Sequence, residues 1–146
     1  MDYNVIGEKV ALGIMQGRLS VPHEGRIQCF PRNTWTQEFA LAAKLRLDAI
    51  EWIYDVFGDG ANPIETDNGI NQMKALSADH GIAVNSICAD WFMEEPLVGV
   101  SHAESKAAFE RLDWLLGRAR LLRIGRVVLP FVDSSALKSD CLINEV

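Results

Sequence analysis

The chain has 146 residues, 49% hydrophobic and 23% charged, which matches one ordinary globular domain with enough apolar side chains for a sizeable core. Its 14 basic and 20 acidic side chains leave a net charge of -6, which repels phosphate backbones and anionic lipid, so no nucleic acid and no membrane is expected as a partner. Cys29, Cys88 and Cys141 are widely separated without a C-x-x-C pair, arguing against a disulfide framework or a thiolate metal site and for a reducing, cytoplasmic location.

Met1-Asp2-Tyr3-Asn4 carries no signal-like segment, and no apolar run reaches the roughly 18 residues of a membrane span. Val10 to Met15 is a short, nearly unbroken apolar run, the pattern of a strand buried on both faces of a parallel sheet. It ends in Gln16-Gly17-Arg18, and a long loop from Leu19 to Arg32 follows.

Thr34, with Gln37 three residues on, predicts the start of the first helix, whose apolar face is Trp35, Phe39, Ala42 and Ala43. A second strand is expected over Ala49 to Tyr54, followed by the turn-rich segment Gly58-Asp59-Gly60-Ala61-Asn62-Pro63. The second helix runs from about Asp67 to Asp79, capped by Thr66, with Ile70, Met73 and Leu76 inward; the third strand is Ile82 to Ala89. Ser101 and Glu104 form a capping box for a third helix carrying Ala108, Leu112, Leu115, Ala119 and Leu122 as a core stripe. The fourth strand spans Arg126 to Val132, and residues 136–146 form an atypical tail that starts a helix without completing it.

Helix end, tight turn and apolar strand recur at Leu45–Trp52, His80–Ile87 and Leu122–Leu129, so the chain is a serial α/β protein with one βα unit per repeat. Right-handed crossovers make a β-α-β-α-β-α-β order either a doubly wound sheet or an arc of a closed barrel. Gly81 suits the left-handed cap at the end of the second helix. The corresponding positions after the other two helices are Arg46 and Arg123, each costing about 1 kcal/mol if its turn keeps that geometry.

Ligands of either architecture bind at the carboxyl ends of the strands. Those ends hold Gln16, Gly17 and Arg18, then Glu51, Trp52 and Asp55, then Cys88, Asp90 and Trp91, then Asp133. Carboxylates, amides and aromatics on one rim suit a hydroxyl-rich ligand, although Arg18, Glu51 and Asp90 would equally form ion pairs closing the sheet end. His23, His80 and His102 show no paired ligand spacing and read as surface histidines, and Asp55 to Asp59 lacks the alternation of a calcium loop. Gly58-Asp59-Gly60 fails as a dinucleotide fingerprint because Pro63 follows; phosphate-loop and nucleophile-elbow motifs are absent. Cys88, inside an apolar strand, reads as a buried structural thiol.

Gly13-Ile14-Met15-Gln16-Gly17-Arg18-Leu19, Phe39 to Ala43, Asp48 to Trp52, Asn85 to Asp90 with Phe92-Met93, and Val127 to Asp133 together resemble the sugar phosphate isomerase/epimerase family of xylose-isomerase-like TIM barrels, over about residues 10 to 135. The resemblance implies a (β/α) TIM-barrel-type fold, here a single truncated domain over residues 1–146, an N-terminal half barrel with about four parallel strands in sequential order. It implies proton transfer next to a sugar carbonyl with a divalent metal (Mn, Mg, Co or Zn), whose ligands in the intact family come from later strands, so this chain is expected to hold no metal or other cofactor and to be inactive alone. Gln16, Arg18, Glu51, Trp52 and Asp90 are the expected substrate-binding residues for a sugar or sugar phosphate; no catalytic residue is assigned. The alternative is a non-catalytic half barrel whose unpaired edges bind a complementary half or form a homodimer. The acidic charge argues against the related apurinic endonucleases.

Overall fold

The computed structural model describes residues 11–144 other than 23, 24, 27 and 59. Val10, His23 and Asp59, like the first four and the last two residues, lie outside the described residues.

Four strands, β1 (Gly13–Met15), β2 (Ala49–Ile53), β3 (Ala83–Cys88) and β4 (Arg126–Val128), form one all-parallel sheet in the order β1-β2-β3-β4. The order is sequential with no reversal, so these four strands contain no topological switch point of the kind a doubly wound sheet has, and the sheet is compatible with an arc of a barrel. The connecting helices are α1 (Trp35–Lys44), α2 (Asp67–His80), a short α3 (Trp91–Glu94) and the long α4 (His102–Leu121); α5 (Asp140–Ile143) follows β4.

The helix ends show which local signals govern. Thr66 accepts the Gly69 amide at 3.0 Å, and Ser101 with Glu104 closes a capping box on α4. Thr34 precedes α1 as expected but makes no side-chain cap; its hydroxyl donates instead to Ser20 at 2.9 Å. Arg46 and Arg123 lie at φ 60° and 58°, beside 66° for Gly81, so the three helix-to-strand turns share one left-handed geometry. Two of them pay for a Cβ that the third avoids.

Alternation sorts β2 into two faces. Ile50, Trp52 and Tyr54 face the helices, where Trp52 packs against Phe30, Trp35 and Phe39 with ring centroids 5.7 to 6.3 Å apart. Glu51 and Ile53 face the opposite side of the sheet. A register shift between Ile50 and Glu51 leaves Asn85 as an extra residue in β3 and brings Glu51 level with Ser86 and then Arg126. The α4 stripe packs as its spacing predicts: Ala108, Leu115 and Ala119 are buried, and Leu112 and Leu122 are half-buried against the core. Beyond Val128 the chain leaves the sheet through a turn at Asp133–Ser135, where Ser134 Oγ donates to the Met93 carbonyl, so β4 is shorter than the apolar run Arg126 to Val132.

Candidate functional site

The carboxyl ends of β1, β2 and β3 are covered by the loop that follows β1. That loop is fastened by three buried carboxylates from three different elements. Glu38 of α1 receives the Gly17 amide, 3.0 Å from each of its oxygens, and the Ser20 hydroxyl at 2.8 Å. Asp55, just after β2, accepts the Phe30 amide at 2.7 Å. Asp90, just after β3, accepts the Gln28 side-chain amide at 2.8 Å and the Cys88 thiol at 3.0 Å. Burial pushes the Glu38 and Asp90 carboxyls above their ordinary range, and the charges of Asp55 and Glu51 add to the rise at Asp90. Burial also raises the Cys88 thiol, reinforced by its bond to Asp90, and pushes Cys29 up to about 11; neither is an activated thiolate.

The five sequence-predicted residues separate into five environments. Gln16 is 1% exposed; its Oε1 accepts the Ile53 amide at 3.1 Å, carrying the β1–β2 ladder one position past the strand end. Its Nε2 and Asp55 Oδ1 are buried without a hydrogen-bond partner. Arg18 is exposed, with Nη2 3.9 Å from the Met15 sulfur. Glu51 lies on the sheet face opposite the helices and lines a pocket of about 250 Å³ with Asn85, Ser86 and Arg126. Trp52 was expected to cover a ligand, but it is 0% exposed on the helix side and its Nε1 donates to Asn62 Oδ1 at 3.0 Å, so as packed it offers a ligand no surface. Asp90 is the member of the set that stands at the rim among polar groups of the covering loop.

Glu38 and Gln28 were not among the expected site residues. Glu38 had a readable signal: it sits within the apolar stripe Trp35, Phe39, Ala42 at helical spacing, where an acid has to be satisfied from inside. Gln28 had none, because only the path of the loop brings it to Asp90. Behind the rim, Tyr54 stacks on Trp91 at 5.3 Å and 14°, and Arg111 of α4 lies over the Trp91 and Trp114 rings at 4.6 and 5.2 Å while donating to the Tyr54 hydroxyl at 3.3 Å. This group ties α4 to the ends of β2 and β3.

Among the described residues no group of three His, Cys, Asp or Glu side chains is placed to hold a metal ion, and no helix is long and apolar enough to cross a membrane. No family model matches the sequence, and no curated protein matches it.

Proposed function

We propose that the chain is the β1-to-β4 arc of a sugar phosphate isomerase/epimerase-like (β/α) barrel and that its rim binds a sugar or sugar phosphate. The observation that carries this reading is the sequential parallel sheet with Asp55 and Asp90 directly beyond β2 and β3. Parallel α/β sheets present ligands to the carboxyl ends of their strands, and a polyol needs carboxylate acceptors beside amide donors. Asp90 and Asp55 supply acceptors; Gln28 and Gln16 supply donors. A ligand hydroxyl exchanging with the Gln28 amide at Asp90 would keep that carboxylate hydrogen-bonded throughout.

The role proposed for this chain is carbohydrate binding, with turnover assigned to the strands that follow in the resembled family; among the described residues no group of three His, Cys, Asp or Glu side chains is placed to hold a metal ion. Proton transfer beside a carbonyl needs a positioned base and an electrophile, and Asp90, bonded to Gln28 and Cys88, is assigned here only to holding a ligand hydroxyl. The purified chain is assayed with ketoses, aldoses and their phosphates in the presence of manganese. No isomerisation or epimerisation is expected; clear turnover would contradict the division of roles proposed for this chain.

A further inference from the structure

The face of α4 turned away from the core carries an arrangement that the protomer does not use. Phe109 and Leu116 are 47% and 46% exposed, and Asp113, Gly117 and Arg120 on the same face are exposed as well. Residues 109, 113, 116 and 120 follow at steps of four, three and four, so they form one stripe. Its C-terminal half borders a groove of about 510 Å³ between α4 and β4, walled by Leu112, Leu116 and Val127 with Arg120 and Arg123 at the edge.

The charges on this stripe are self-complementary. Asp113 and Arg120 have no ion-pair partner among the described residues, in contrast to Arg118, which holds Asp67 at 2.6 Å. They are seven residues apart, about 10 Å along the axis, and Leu116 and Gly117 lie at their midpoint. A two-fold axis at that midpoint, with a second α4 running antiparallel, sets each Asp113 against the partner's Arg120 and the two Leu116 side chains against one another. Gly117 fits this geometry: a glycine weakens a helix interior, and a Cβ added there would meet nothing within 4 Å, so the isolated protomer gives no reason for it. Beside the axis it allows the two helices to approach closely.

We propose that two copies of this chain pair antiparallel along α4, with the two-fold axis beside Leu116 and reciprocal Asp113–Arg120 contacts. Sedimentation velocity on the full chain tests it. The wild type is expected to be dimeric at concentrations on the order of 10 μM and above. Asp113→Arg and Arg120→Asp each place like charges across both contacts and weaken the dimer by about tenfold or more. An equimolar mixture of the two single variants restores it, because the mixed pair has opposite charges at both contacts. Leu116→Lys abolishes the dimer with the circular dichroism unchanged, and Gly117→Ala raises the melting temperature while weakening association. A wild type that stays monomeric in that range overturns the proposal. So does a dimer that survives the single charge reversals, which is how association through the free edge of β4 would behave, or a mixture that fails to recover.

Discussion

Gly17 and Glu38 meet across 21 residues of sequence, with the Gly17 amide nitrogen 3.0 Å from both carboxylate oxygens of Glu38. The contact forms because the chain reverses directly after β1. Gly17 takes φ 82° and passes so near the loop that an added Cβ would lie 2.9 Å from the Cys29 carbonyl oxygen. Backbone freedom and the absence of a side chain are therefore both used at this position. Gly17→Ala is expected to cost about 2–3 kcal/mol, the sum of a left-handed penalty and the displacement of a backbone carbonyl. Gly81→Ala meets nothing within 4 Å and should cost only about 1 kcal/mol. Urea unfolding of the two variants checks the difference; equal losses would show that the loop does not press on Gly17.

Arg46 and Arg123 occupy the same left-handed turn that Gly81 occupies without strain. Arg46→Gly and Arg123→Gly should each stabilise the chain by up to about 1 kcal/mol, less the entropy that glycine restores to the unfolded state. A loss of stability in either variant would mean that the arginine makes a contact worth more than its strain.

The two threonines ahead of α1 and α2 separate a cap from a loop contact. Thr66→Ala removes the acceptor of the Gly69 amide and should cost about 1 kcal/mol. Thr34→Ala removes only the bond to Ser20 at the part-buried loop and should cost about half as much. Thermal melts of both variants rank the two effects, and the reverse order would contradict the cap assignment.

Much of this architecture can be read from the residues, and the exceptions share a cause. The α2 and α4 caps, the α4 stripe and the succession of strands and helices are local or periodic, so apolar spacing and cap chemistry specify them, whereas strand order is a long-range property that the residues leave open between a doubly wound sheet and a barrel arc, and the turns at Arg46 and Arg123 are legible only by analogy with Gly81. Trp52 shows where such reading fails. Period-two alternation says that it opposes Glu51, but not which face meets the helices, and the cluster of Phe30, Trp35 and Phe39 decides that. The short α3 at Trp91 was missed because four residues carry no helical period, and its position is set by the stacking of Trp91 on Tyr54. Gln28 and Asp90, 62 residues apart, are joined by a loop path that no spacing encodes.

The loop carboxylates give stability an unusual dependence on pH. Folded Glu38 and Asp90 keep their protons to higher pH than in the unfolded chain, where their ordinary values are 4.5 and 3.8. Between those values and the raised folded ones the native chain binds more protons than the unfolded chain, so stability is greatest at the acidic end of the window and falls as pH rises through it. The double variant Glu38→Gln/Asp90→Asn should lose that decline above the ordinary carboxylate range. Identical slopes for wild type and variant in urea titrations would contradict the assignment.

The rim itself is tested most directly by titrating ¹⁵N-labelled chain with ketose and aldose monosaccharides and their phosphates and following the amide resonances. Saturable shifts are expected to cluster at Gln16, Gly17, Phe30 and Asp90, together with the Gln28 side-chain amide, all abolished in Asp90→Asn. Shifts confined to the groove between α4 and β4, or no shifts at millimolar sugar, would contradict this expectation.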